Sequence, residues 1–274
     1  MAWRLIDILH AILFGIVEGV TEWLPISSTG HLILVDEWIQ LNISTEFKEL
    51  YFVVIQLGAI MAVVVLFWKK LFPITNENGL QVKKPILVLW LKVIVACIPA
   101  GIYAITLDNT LHEVFYNYQT VAVMLILLGI LFLLIEYVNA SKEPKIVEIA
   151  NITYTAAFII GIAQLMAAIF PGTSRSGATI LCGLLLGLSR STAADFSFVL
   201  AIPAMFGASL LKLLKLGFVF SSSEILILLI GTLTAFLVSM VSIKFLRGYI
   251  KKHDFKVFGW YRIVLGGLVM LSFL

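Results

Sequence analysis

Glu18 and Glu22 stand four residues apart in GIVEGVTEWLPISSTGHLIL (residues 15–34), within an otherwise overwhelmingly apolar chain. On a helix this spacing puts both carboxylates on one face, about 6 Å apart. Two like charges that close in a low dielectric do not both stay ionised unaided: either one is protonated or a cation sits between them. Hard divalent cations such as Mg²⁺ or Ca²⁺ take carboxylate oxygens. The plainer alternative is a pair facing a water-filled vestibule. Just beyond, Ser27, Ser28, Thr29, Gly30 and His31 follow Pro25. Small residues with free backbone N–H groups at a helix start favour anions. Ser28 and His31 could be a nucleophile and its base, or His31 could itself attack or act as a general acid. Ser27 and Thr29 suit capping and turn hydrogen bonds as well as they suit phosphate. A second polar island, PGTSRSGAT (residues 171–179), sets Arg175 between Ser174 and Ser176. An arginine inside a membrane needs an anion, and its fork matches phosphate bidentately. The plainer alternative is a salt bridge to Glu18 or Glu22 that only ties the chain together. No GxxxxGKS or GxxxxGKT nucleotide cradle is present.

The elements that must position these groups are membrane segments. The 274 residues are 61% hydrophobic and 13% charged, against about 25% charged in a soluble domain. The reading is an all-α polytopic membrane protein, one integral domain over 1–274. The net charge of +3 is too small to suggest nucleic acid. Cys97 and Cys182 lie in apolar runs and read as small core residues. The N-terminus lacks the features of a signal peptide. Residues 5–24 predict a helix ending before Pro25. The apolar piece after it, Leu32 to Leu41, is too short to cross a core of about 30 Å, so the economical arrangement is a re-entrant helix–loop–helix. Spans are expected at about 50–68, 86–106 and 119–138.

The pattern then restarts. Residues 154–170 and the short piece to Leu188 form a second hairpin, followed by spans at about 196–214, 224–246 and 257–274, with Thr192 to Asp195 resembling a capping box at the first of them. GIVEGVTEWLPISSTGH aligns without gaps on GIAQLMAAIFPGTSRSG at an offset of 146 residues, pairing Glu18 with Gln164 and Ser28 with Ser174. Each repeat, about 5–138 and 154–274, is a re-entrant hairpin plus three spans. Three is odd, so an inverted-topology repeat is expected. The Lys-rich linkers 69–85, 139–151 and 247–256 share one side, cytoplasmic by the positive-inside rule, with Lys212 and Lys215 a mild dissent. Gln56 is expected to be a buried hydrogen-bonding residue, Lys92 and Lys244 to snorkel, and Trp23, Trp38, Trp68, Trp90 and Trp260 to pack or sit at the interface.

ExxxE before PxSSTGH, VIQLGAI and PGTSRSGAT together resemble the undecaprenyl-diphosphate phosphatase, or bacitracin-resistance, family over essentially the whole chain. The resemblance implies a bacterial plasma-membrane enzyme with an outward-facing site. Such an enzyme removes the terminal phosphate of the C55 isoprenyl diphosphate carrier, recycles that carrier for peptidoglycan synthesis and confers bacitracin resistance. It implies a divalent-cation cofactor, and catalytic roles for Glu18, Glu22, Ser28, His31, Ser174, Arg175 and Thr179. Combined with the residue-level reading, Glu18 and Glu22 are expected to hold the metal. Ser27, Thr29, Ser174, Arg175, Ser176 and Thr179 are expected to hold phosphate, and Glu22, Ser28, His31 and Arg175 to carry the chemistry, with the nucleophile left open between Ser28, His31 and water. The expected partners are the isoprenyl diphosphate lipid and the bilayer, with a homodimer left open. The alternative of another class is a lipid-carrier flippase, since discontinuous helices in inverted repeats are a transporter signature. A channel is weaker, because no span carries a polar stripe along its whole length.

Overall fold

The computed structural model describes residues 2–39, 41, 43–75, 81–106, 115, 117–216 and 220–272. Among these, eleven α-helices account for nearly all regular structure: α1 (Ala2–Thr21), α2 (Ser28–Trp38), α3 (Thr45–Leu66), the short α4 (Trp68–Leu71), α5 (Lys84–Thr106), α6 (Tyr118–Asn139), α7 (Tyr154–Ile169), α8 (Arg175–Leu185), α9 (Arg190–Leu216), α10 (Ser222–Tyr249) and α11 (Lys256–Ser272). A two-residue antiparallel ladder, Ile74–Thr75 with Gln81–Val82, closes the linker before α5.

Five helices, α3, α5, α6, α9 and α10, are long and apolar enough to cross a bilayer, where five of the six spans were expected. The sixth expected span falls on α11, which at 17 described residues is not among these five; its expected last two residues lie outside the described ones. Large apolar side chains such as Leu134, Leu229, Val241 and Leu271 are exposed along these helices, the surface a lipid solvent requires.

Each helix–loop–helix pair is held by helices from the other end of the sequence. The first pair's long arm, α1, packs along α10, and the second pair's, α7, packs along α5. Both contacts use the glycines that the repeat aligns. A Cβ on Gly15 would lie 2.7 Å from the carbonyl oxygen of Gly231, and one on Gly161 would lie 2.3 Å from that of Ala96. Only glycine lets the backbones approach so closely, as at small-residue seams between membrane helices. α3 packs on both α10 and α9, and α11 packs along α6. The largest core cluster runs from Trp23 through Phe132 and Phe198 to Phe258.

The two pairs differ in setting. α8 is buried along most of its length, against α6, α7 and α9. α2 buries only Ser28, Gly30 and Leu32, and ends on Trp38, which is 86% exposed.

Four local expectations change. The short arm of the first pair starts at Ser28 rather than Leu32, because the Ser27 hydroxyl accepts from Gly30 N and turns the polar stretch into a first helical turn. α9 starts at Arg190, capped by Ser189, whose hydroxyl accepts from Thr192 N at 3.1 Å. Asp195 is therefore inside the helix, where it pairs with Lys70 and Arg247, each at 3.0 Å. Lys92 does not snorkel: it is buried and donates to the Ala150 carbonyl at 2.7 Å. Gln56 is only partly buried.

The basic linkers do converge on one end of the molecule. Lys70 and Arg247 share Asp195, and Lys142, Lys145 and Lys251 line one groove. Lys212 pairs with Glu49 at 2.6 Å elsewhere.

Candidate active site

The site forms where the loop between α1 and α2 meets the loop between α7 and α8. Asp7, Ala11, Phe14 and Glu18 on α1 follow helical spacing, Glu22 one residue past its end continues it by donating its N–H to the Glu18 carbonyl at 3.0 Å, and all five are buried. The face that packs the helix therefore carries both acids inward. Each loop then ends on a serine in left-handed backbone: Ser27 at φ 77° and Ser174 at φ 68°. Non-glycine residues rarely adopt this geometry, and it persists only where the surroundings over-determine it. Each of these serines caps the following helix through its side chain, Ser27 accepting from Gly30 N at 3.3 Å and Ser174 from Gly177 N at 3.1 Å.

These caps correct the ungapped alignment. Two steps separate Pro25 from Ser27, but three separate Pro171 from Ser174. The second loop has one more residue, and Gly172, at φ +88°, absorbs the difference. A Cβ there would meet the Val121 carbonyl oxygen at 2.6 Å. In structural register Ser27 matches Ser174 and Gly30 matches Gly177. Ser28 therefore stands opposite Arg175, each as the first residue of its helix.

Both of those residues grip the same carboxylate. Ser28 Oγ donates to Glu22 Oε2 at 2.5 Å, and Arg175 Nη2 donates to Glu22 Oε1 at 2.7 Å. Glu22 is 5% exposed. Arg175 Nη1 reaches the Ser197 carbonyl at 2.7 Å, its guanidinium carbon sits 5.9 Å from the centre of the Trp23 ring, and its Nε carries no hydrogen bond. Ser176 Oγ donates to the Glu22 carbonyl at 3.0 Å and lies 3.2 Å from Ser174 Oγ. The salt bridge that was the plainer alternative for Arg175 is present, to Glu22, and it lies within a cluster of hydroxyls with one guanidinium nitrogen, Nε, left without a partner among the described residues.

The remaining expected residues fall into two groups. Glu18 is fully buried, and neither of its carboxylate oxygens has a hydrogen-bond partner among the described residues. Its counterpart Gln164 is 3% exposed with both amide atoms also unpartnered. His31 is held at both ring nitrogens, Nδ1 by the Ser27 carbonyl and Nε2 by the Tyr261 hydroxyl, each at 2.7 Å. A carbonyl only accepts, so Nδ1 bears the proton and Tyr261 donates to Nε2. Ser28 is thus paired with Glu22 and not with His31. Thr179 Oγ1, a turn behind Arg175, donates to the Arg175 carbonyl at 2.9 Å and lies 2.7 Å from Ser197 Oγ, so it reaches the guanidinium only through Ser197. Thr29 is half-buried and has no side-chain hydrogen bond among the described residues.

Four contributors carry no motif: Trp23 beneath Arg175, Ser197 on α9, and Tyr261 and Arg262 on α11. Trp23 and Tyr261 look like ordinary membrane aromatics. Arg262 had a signal, a lone cation in the apolar run of the last span.

This arrangement can bind an anion at two helix starts beside a guanidinium, and it can take a proton from a serine. Comparisons with known proteins point the same way. The family model described as bacitracin resistance protein BacA matches residues 11–268. The chain is 64% identical over 269 residues to the undecaprenyl-diphosphatase of Desulfitobacterium hafniense, covering 98% of this chain and 97% of that one. It is 59% identical to undecaprenyl-diphosphatase 1 of Clostridium acetobutylicum, covering 98% of each chain. It is 56% identical to an undecaprenyl-diphosphatase of Enterococcus faecalis, covering 99% of each. With the match running from α1 to α11 and through both loops, the chain belongs to the bacitracin resistance protein BacA family.

Proposed function

We propose that this protein hydrolyses undecaprenyl diphosphate to undecaprenyl phosphate and inorganic phosphate, with Ser28 as nucleophile and Glu22 as its base. The observation that carries the proposal is one carboxylate, Glu22, held between a serine hydroxyl from the first loop and a guanidinium from the second. Ser28 Oγ already points its proton at Glu22 Oε2. Loss of that proton leaves an alkoxide to attack the terminal phosphorus, as in other serine–base pairs. The bond from that phosphorus to the bridging oxygen breaks, and undecaprenyl phosphate leaves. Water then releases phosphate from the seryl ester: Glu22 returns its proton to Ser28 Oγ as that oxygen leaves, takes one from the attacking water, and loses it to solvent to restore the carboxylate.

Arg175 has two tasks. Before substrate arrives it neutralises Glu22. When a diphosphate enters, its oxygens compete for the guanidinium, which transfers positive charge to the phosphoryl group and frees Glu22 to act as a base. Donors fixed in a dry site stabilise developing charge strongly, each about 10²–10³-fold in rate. Ser27, Thr29, Ser174, Ser176 and the helix-start amides orient the terminal phosphoryl in line with Ser28. His31, protonated at Nδ1, presents Nε2 as a proton acceptor beside the site once Tyr261 yields.

The residues present fit a divalent cation. Glu18 offers two buried, unpartnered oxygens, and a buried carboxylate without a partner is costly unless neutralised. No cluster of three or more His, Cys, Asp or Glu side chains occurs among the described residues. Glu18 and Glu22 would hold the ion, with waters and substrate completing its shell, the usual manner of Mg²⁺ binding. When bound, it supplies charge neutralisation to the diphosphate and the acid pair.

The wider arrangement follows from the same reading. The two helix–loop–helix pairs are re-entrant hairpins, and the halves, about 5–138 and 154–274 of one integral domain, run in opposite senses. The support is that α1 packs on α10 as α7 packs on α5. The basic end faces the cytoplasm of a bacterial plasma membrane and the site opens outward, where it recycles the carrier for peptidoglycan synthesis. A flippase has no use for a serine paired to a base.

The test is phosphate release from undecaprenyl diphosphate by purified protein in detergent. Release with Mg²⁺ or Ca²⁺ that stops on chelation is expected. No release in the presence of either ion sinks the reading.

A further inference from the structure

We propose that Arg262 is a positioning residue, a buried guanidinium that clamps the carbonyls of both loops and so sets where Ser28 and Arg175 stand relative to each other. The proposal rests on the reading of the site as a diphosphate site.

Arg262 is 0% exposed. Its Nη1 donates to the Pro25 carbonyl of the first loop at 3.1 Å. Its Nη2 donates to the Gly172 and Thr173 carbonyls of the second, at 2.8 and 3.0 Å, and reaches Met124 O on α6 at 3.4 Å. One nitrogen thus serves each loop. The two nitrogens belong to one rigid plane, so the loops are held at a spacing that the fork fixes.

The clamp acts next to the strained serines. Pro25 lies two residues before Ser27, and Thr173 immediately precedes Ser174, the two non-glycine residues at positive φ among the described residues. The Thr173–Ser174 peptide is trans, as are all peptides among the described residues, and a trans peptide points its C=O and N–H in opposite directions. Anchoring the Thr173 carbonyl on Arg262 therefore turns the Ser174 N–H away from Arg262, at the start of the helix that carries Arg175. Residues in sparse backbone regions persist only where neighbours hold them, and Arg262 is such a neighbour for both loops at once.

The charge state points the same way. Among the described residues no carboxylate lies in a salt bridge with Arg262, and its Nε has no partner. Carbonyl dipoles offset only part of the cost of burying a cation. An anion arriving at the loops it braces supplies the rest. Binding of a diphosphate and the integrity of the brace are then coupled.

Two variants test this in detergent-purified full-length protein. Arg262→Lys keeps the charge but presents a single ammonium, which cannot serve both loops in parallel. Arg262→Gln removes the charge. With undecaprenyl diphosphate as substrate, the lysine variant should fall about 30- to 100-fold in kcat, because reacting groups are misplaced, with KM within about threefold of the parent. The glutamine variant should lose kcat further and also raise KM. Separately, inorganic pyrophosphate should raise the thermal midpoint of the parent protein and raise that of either variant less. A lysine variant with parental kcat overturns the proposal. So do losses that merely track the fraction of folded protein on size exclusion. If the parent binds pyrophosphate but releases no phosphate from the lipid, the functional reading fails while the thermal-shift comparison still decides the role of Arg262.

Discussion

The two loops share a backbone design and divide the chemistry. Each ends on a serine at positive φ that caps its helix through a glycine amide three residues on. The residue that follows differs: Ser28 in the first loop, Arg175 in the second. One carries a hydroxyl that can attack, the other a cation that can hold phosphate, and both converge on Glu22. The helices they open differ as well. α8, behind Arg175, is set in the core, whereas α2, behind Ser28, stands at the rim. In the proposed reaction the half set in the core holds the anion, and the half at the rim supplies the hydroxyl that attacks.

Substitutions that break this division rank by their expected effect. Ser28→Ala should be the most severe, costing on the order of 10⁴-fold or more in kcat while pyrophosphate still raises the thermal midpoint. If binding were lost as well, the first loop would be doing the second loop's work. Arg175→Lys should cost about 10²–10³-fold in kcat/KM, because a point charge replaces a fork. Steady-state kinetics should show the loss in KM as well as kcat. Glu18→Gln makes the first half resemble the second at the position of Gln164. It should lower activity about 10- to 100-fold and remove stimulation by added Mg²⁺, which a metal titration reads. Gly172→Ala forces a side chain into positive φ and against the Val121 carbonyl. It should cost about 1–3 kcal/mol of stability, seen as a lower thermal midpoint. Ser27→Ala and Ser174→Ala remove equivalent caps and should each cost about 1 kcal/mol. A large inequality between them would break the backbone equivalence of the loops.

Much of this was legible because it is written locally. Glu18 and Glu22 are paired by helical spacing, and Ser28 and Arg175 lie in polar islands whose contrast with apolar flanks is unmistakable. The long spans are patterns that survive any tertiary detail. What escaped depends on distance or on one-residue register. The ungapped repeat aligned Ser28 with Ser174, since matching prolines and serines outweighed one extra glycine that only its φ reveals. Arg262 is a single residue on the last helix, far in sequence from both loops it holds, and its partners are backbone carbonyls that leave no mark in side-chain patterns. Ser197 and Tyr261 likewise act through contacts made only when α9 and α11 come to rest. Thr192 to Asp195 has the composition of a cap, but Ser189 makes the cap first.

The crossed packing of α1 on α10 and α7 on α5 has a consequence for biosynthesis. A ribosome delivers α1 long before α10, so the glycine seam at Gly15 waits for most of the chain to be made before it can close on Gly231. Until then Glu18 and Glu22 lack the helix that will shield them, and until the helix opened by Arg175 is made they lack its guanidinium as well. The active site is therefore assembled last, by the final helices to leave the translocation machinery. A chain released before α10 and α11 holds the first loop in sequence but has neither the partner that buries α1 nor the arginine that braces the loop.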